Sequence, residues 1–252
     1  MQIVIIGTGN TAFVLGRKLK KAGHTIVQVF GRDSMAASKL AYELGTRSTN
    51  YWNVVNKDAD LYIIAVSDFA IDEVLKELRL PDKIIVHTAA SVPKEVLKDF
   101  STHYGVLYPL QSLKKEISDI PDIPILIDAN DNETMAKLEI VAQSISSNVA
   151  KAGDDQRMKL HIAAVFCNNF VNHLYLLAEE YCKAEGIDFE LLKPLIIETA
   201  ERLNQANPSS SQTGPAIRKD ESTITKHKEL LSKYPQLLKI YTILTESIKE
   251  SH

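Results

Sequence analysis

Cysteine is scarce in this chain: 252 residues hold two, Cys167 and Cys182. If both lie on one helix, as the patterning below indicates, about 22 Å of rise separates them. A disulfide needs Cα atoms within about 7 Å, so the two cannot pair with each other. Two unpaired thiols suit a reducing compartment. With no C-x-x-C pair, no metal site is expected. A surplus of positive charge is also lacking. Twenty-nine Lys and Arg face 32 Asp and Glu, net −3, so no broad basic field is available to hold nucleic acid. No unbroken apolar run approaches the ~20 residues that span a bilayer, so no membrane partner is expected. Met1 runs almost directly into Ile3-Val4-Ile5-Ile6, with no charged leader and no cleavage site. A signal peptide is therefore not expected, and a cytoplasmic location is. Internal repeats and long low-complexity segments are missing too. What remains is 45% hydrophobic and 24% charged, ordinary globular values. The length permits one large domain or two smaller ones, with a core that needs no staples.

The first ~150 residues alternate short apolar runs with helical patterns. Ile3–Ile6, Thr25–Phe30, Leu61–Val66, Ile84–His87, Val106–Tyr108 and Ile125–Ile127 read as strands. Helical patterns start at Asn10 and stop at Gly23, and occupy Ser34–Leu44, Ile71–Leu78, Lys94–Lys98 and Glu133–Ile145. Gly45 follows Ser34–Leu44 where a helix C-terminus wants glycine. Strands apolar on both faces and separated by helices predict a doubly wound, mostly parallel α/β sheet covered on both sides. After Gly153 the pattern turns helical. Asp154–Lys183 can form one helix of about 45 Å. It is apolar nearly all round, so a buried central helix is expected. Further helices are expected at about Phe189–Asn204, Glu221–Leu231 and Pro235–Lys249, with a linker over 207–215. The expected domains are 1–152, a Rossmann unit, and 153–252, an all-α unit.

Gly7-Thr8-Gly9-Asn10-Thr11-Ala12 is G-x-G-x-x-A between an apolar strand and a helix. In that context Gly7 permits the tight turn, Gly9 lets the backbone approach a pyrophosphate, and Ala12 lets the helix pack on the sheet. The helix start adds free N–H groups and partial positive charge for phosphate. The second strand ends Phe30-Gly31-Arg32-Asp33-Ser34. NAD sites usually place an acid where Gly31 stands, and NADP sites place Arg nearby. Arg32 can pair with a 2′-phosphate and Ser34 can add a hydroxyl. Asp33 could still serve NAD if the register shifts, but NADP(H) is favoured. Ala65-Val66-Ser67-Asp68 follows the next strand and should border the nicotinamide ribose, although Ser67-Asp68 could instead cap the following helix. His87-Thr88-Ala89-Ala90-Ser91 and Tyr108-Pro109-Leu110-Gln111-Ser112 also follow strands. Their polar groups suit either ligand contact or loop stabilisation.

The long helix carries His161, Asn168, Asn169, Asn172 and His173 within apolar surroundings. At about 100° per residue, Asn168 and Asn172 each fall about 20° from His161, on opposite sides. Such a stripe needs hydrogen-bonding partners, supplied either by a ligand cleft or by internal contacts. Lys159 points away from His161 and suits a snorkelling role. Thr213-Gly214-Pro215-Ala216-Ile217-Arg218-Lys219-Asp220 joins a rigid turn to a cation. Arg218 could hold a carboxylate or phosphate, or the segment could be a surface loop with Asp220 as a cap.

With these motifs the chain resembles the superfamily of ketopantoate reductase, 6-phosphogluconate and β-hydroxyacid dehydrogenases, pyrroline-carboxylate reductase and the deazaflavin-dependent NADP reductases. The segments Tyr108–Ser112, His161–Phe170 and Gly214–Asp220 bring it closest to a Rossmann-like group in that superfamily, assigned as NADP oxidoreductases with a C-terminal helical domain of unknown function. The resemblance implies a Rossmann domain, an all-α domain, a homodimer, and NADPH-dependent reduction of a small carbonyl or imine substrate. It places His161 where several relatives carry a catalytic lysine, and Asn169 near their asparagine. His161 then protonates or orients, Asn168 or Asn169 and Asn172 position, and Arg218 holds any anionic group. The missing lysine leaves a second implied reading, a non-catalytic NADP(H)-binding regulator.

Overall fold

Residues 2–6 form β1 (Gln2–Ile6) at the centre of an eight-stranded sheet in this computed structural model, which describes residues 1–117 and 120–252. Contacts divide the chain into two units, Met1–Asn169 and Phe170–His252.

In the first unit the chain alternates α1 (Asn10–Lys21), β2 (Thr25–Phe30), α2 (Ser34–Leu44), β3 (Arg47–Thr49), β4 (Leu61–Ile64), α3 (Ile71–Glu77) and β5 (Ile84–His87). It continues through β6 (His103–Pro109), β7 (Ile125–Ala129), α4 (Asn132–Ile145), β8 (Val149–Lys151) and α5 (Asp154–Ala164). Strand order is β3-β2-β1-β4-β5-β6-β7-β8, and only the β6–β7 pairing is antiparallel. Alternate β1 residues serve two cores. Ile3 and Ile5 pack with Leu15, Leu19 and Leu40, whereas Val4 and Ile6 pack with Tyr62, Ile71 and Leu75. Both faces of the sheet are thus covered, as strands apolar on both sides require. Order reverses between β1 and β4, so the loops after these strands border the crevice where open α/β sheets bind ligands.

β3 and β8 were not expected. Each is three residues long and carries no apolar run; they are strands because β2 and β7 offer an edge to pair with. α2 starts as patterned: the Asp33 carboxylate accepts N–H bonds from Met35 and Ala36, and Gly45 closes it in the left-handed region at φ 67°. Arg157, fully buried, ties α5 to the sheet. Its Nε donates to the Ala90 carbonyl at 3.2 Å, and its Nη2 donates to the Val92 carbonyl at 2.7 Å and the Asp154 carboxylate at 2.6 Å. The first unit thus includes α5.

The second unit holds α6 (Val171–Ala184), α7 (Lys193–Glu201), α8 (Pro208–Ser211), α9 (Glu221–Leu230) and α10 (Pro235–Ser251). Helical backbone runs without a break over Asp154–Ala184, but Val165–Phe170 is a wide π turn. The expectation of a buried central helix is corrected: Ile162, Phe166, Phe170 and Leu176 are all more than 40% exposed. Its apolar composition therefore does not translate into burial within the chain. By length and composition alone this 31-residue helix is apolar enough to cross a membrane. Polar residues, Asn168, Asn169 and His173 among them, interrupt its apolar run.

Candidate functional site

A cleft of about 710 Å³ opens at the carboxyl ends of β1, β2 and β4. Gly7, Thr8, Gly9, Asn10, Thr11, Gly31, Arg32, Ala65, Val66 and Ser67 line it. Gly7 sits at φ 126°, and a Cβ there would stand 2.1 Å from the Ala65 carbonyl oxygen. Only glycine makes this turn. A Cβ on Gly9 would meet nothing within 4 Å; the glycine leaves backbone open to the cleft. Gly9 precedes α1 without a side-chain cap, so the first N–H groups of the helix stay available to an anion. These features fit a dinucleotide diphosphate. Ala12 is fully buried beneath the turn, where it lets α1 pack on the sheet.

At the carboxyl end of β2, Arg32 is exposed and its Nη1 donates to the Glu73 carboxylate at 2.9 Å. Trp52 lines the same wall and stacks on Phe30, ring centroids 3.6 Å apart. Neither Glu73 nor Trp52 was singled out from sequence, because nothing local tells which residues of α3 or of the segment after β3 face the loop after β2.

Three other expected cofactor contacts lie off this lining. Ser34 begins α2 beside the cleft. Asp68 accepts a hydrogen bond from the Ser91 hydroxyl and does not cap the next helical turn. His87 is fully buried, and the Ala89 N–H donates to its Nδ1 at 3.2 Å. That bond places the proton of the neutral ring on Nε2. Desolvation first, then the Arg157 charge, push the His87 pKa down to about 4. It is a neutral, loop-stabilising group rather than a titrating one.

A second cleft of about 580 Å³ lies in the same unit. It is lined by Tyr108, Leu110, Gln111 and Ser112 from the end of β6 and by Leu160, His161, Cys167, Asn168 and Asn169 from the helix, among others. The Tyr108 hydroxyl stands 3.0 Å from His161 Nδ1, and the rings meet edge to face. Desolvation and the negative charge of Asp68 raise the Tyr108 pKa, partly countered by Arg157, so its proton stays on at neutral pH. Asp68 directly follows Ser67, which lines the first cleft. Both clefts thus open at the carboxyl edge of the sheet.

The structure brings His161, Asn168 and Asn169 into one cleft. The π turn holds both asparagines, so a count of about 100° per residue does not set their angles from His161. Asn172 and Arg218 belong to the second unit, and both are exposed. Asp220 caps α9, accepting from the Thr223 N–H at 3.1 Å and the Thr223 hydroxyl at 2.7 Å. Among the described residues, no group of three or more His, Cys, Asp or Glu could hold a metal ion.

Residues 2–91 match the family model described as NADP oxidoreductase, coenzyme F420-dependent, and residues 123–248 match that of the domain of unknown function DUF2520. A Bacteroides fragilis protein assigned as an NADP oxidoreductase is 39% identical in sequence. The match covers 99% of this chain and 98% of that one, with a TM-score of 0.93. The 1-pyrroline-5-carboxylate reductase of Streptococcus pyogenes shares the fold at 15% identity, TM-score 0.68, over 99% of this chain and 98% of its own. An imine reductase of Myxococcus stipitatus, solved with NADP+, does so at 18% identity, TM-score 0.65, over 100% and 96%. The comparison with curated proteins gave no match.

Proposed function

The chain belongs to the DUF2520 family and to the same family as the B. fragilis NADP oxidoreductase, and on that premise we propose that it reduces a small imine or carbonyl compound, with Tyr108 and His161 delivering the proton. NADPH, when bound, supplies a hydride to the substrate carbon. The observation that carries the catalytic reading is the 3.0 Å approach of the Tyr108 hydroxyl to His161 Nδ1 in the second cleft. Reduction of a C=N or C=O bond needs one proton at the nitrogen or oxygen. Tyr108 holds its proton at neutral pH and can donate it there. His161, adjacent and only partly buried, can return a proton to the phenolate oxygen through Nδ1 and be replenished from solvent. Asn168 and Asn169 line the same cleft and can hold the substrate by hydrogen bonds. The S. pyogenes and M. stipitatus proteins, named for reducing C=N bonds, support an imine as the first substrate class to try.

The test follows NADPH oxidation with a panel of cyclic imines and small ketones. Wild-type protein should turn over at least one of them. Tyr108→Phe and His161→Gln should each lower turnover about 100-fold or more while NADPH affinity stays within about two-fold. Unchanged turnover in both variants would remove the pair from the mechanism. NADPH binding with no turnover across the panel would favour a non-catalytic regulator.

We also read the active protein as a cytoplasmic homodimer. The support is the exposed apolar face of the second unit, including Leu191, Leu195 and Ile197. Two-fold self-association is the commonest way soluble chains cover such a face. The two unpaired thiols suit a reducing compartment.

A further inference from the structure

The loop after β2 carries two ionisable side chains, and both are already engaged. The Asp33 carboxylate is committed to α2, accepting from the Met35 N–H at 2.9 Å and the Ala36 N–H at 3.1 Å. Arg32 is not free either: its guanidinium is paired at 2.9 Å with Glu73, which reaches across from α3 into the same cleft. A 2′-phosphate and the Glu73 carboxylate want the same cation. They cannot share it without bringing two like charges together in the cleft.

We infer that Glu73 sets the balance between NADPH and NADH by competing with the 2′-phosphate for Arg32. The inference rests on reading the first cleft as the dinucleotide site. When NADPH binds, Arg32 exchanges the carboxylate for the phosphate. Lys76, three residues further along α3 and also in the cleft wall, is within helical reach of the displaced Glu73. When NADH binds, no exchange is needed, and Glu73 can accept a hydrogen bond from the free 2′-hydroxyl. Glu73 therefore tempers a preference that Arg32 alone would make steeper.

Calorimetric titration of the full-length protein with NADPH and with NADH tests this without requiring turnover. Glu73→Gln should tighten NADPH binding about five-fold at low salt while NADH stays within about two-fold. The gain should shrink as salt screens the cleft. Glu77→Gln removes the same charge from the same wall without touching the Arg32 pair, and should move the ratio much less. An unchanged or reduced NADPH-to-NADH preference in Glu73→Gln overturns the inference. An equal shift in Glu77→Gln overturns it too, because the general field of the cleft would then suffice. Wild-type protein that binds neither dinucleotide would instead defeat the reading of the cleft itself.

Discussion

The two units bury different shares of their apolar side chains. In the first, the β4 and β5 residues and Ile3–Ile6 of β1 are all buried, and two clusters fill both faces of the sheet. In the second, Leu177, Cys182, Ala216, Ile224 and Leu231 are buried, whereas Leu191, Leu195, Ile197, Leu203, Leu230 and Ile243 are each more than half exposed. A unit that buries most of its apolar surface, with exposed exceptions such as Phe69 and Ile140, holds its tight turn and strand ends in place. A unit that displays it presents a face to be covered. Under the homodimer proposed above, that face is where a second copy would pack.

The largest effect should come from Arg157. Arg157→Ala leaves the Ala90 and Val92 carbonyls and the Asp154 carboxylate without their shared donor. It should lower stability to urea by about 3–5 kcal/mol. A loss below about 1 kcal/mol would mean that α5 is not tied to the sheet through this group. Next comes a matched pair of truncations. Leu40 is fully buried, so Leu40→Ala should destabilise by about 2–5 kcal/mol. Leu195 is 59% exposed. Leu195→Ala should change monomer stability by less than about 0.5 kcal/mol and instead weaken self-association in sedimentation. Equal stability losses at the two positions would erase the contrast between the units.

The same contrast governs what was legible in the sequence. The turn Gly7–Ala12 could be read because its determinants are local: an apolar strand, two glycines at fixed spacing and a helix start. Gly45 and Asp220 announced helix ends for the same reason. β3 could not be read, since Arg47–Thr49 is a strand only by pairing with β2. Tyr108 and His161 each stood in a segment singled out from sequence, but they are 53 residues apart and only the packing of α5 brings them together. The angular count that grouped Asn168 with His161 assumed an unbroken α-helix, and the π turn removed that assumption. The apolar helix misled most: composition shows that a surface avoids water but not which chain covers it.

The smallest effect discriminates most finely, because the same cap occurs once in each unit. Asp131 starts α4 and accepts from the Thr134 N–H at 2.8 Å and the Thr134 hydroxyl at 2.6 Å; Asp220 does the same with Thr223 at the start of α9. Partial desolvation raises the Asp131 carboxyl, but bonds from Thr134 and His103 outweigh it and hold the pKa down at about 2. The backbone and hydroxyl bonds from Thr223 lower Asp220. A carboxyl depressed in the folded state stabilises above its unfolded pKa, and that contribution is lost as pH falls through the folded value. Asp131→Ala should therefore lower stability by about 1 kcal/mol near neutral pH. The gap from wild type should persist at pH ~5 and narrow as pH falls from ~4 toward ~2. Asp220→Ala should show the same sign with a smaller gap in urea unfolding, because at Asp131 His103 adds a bond beyond those the two caps share. A larger gap for Asp220 than for Asp131 would show that the second unit depends on its own local structure more than its exposed face suggests.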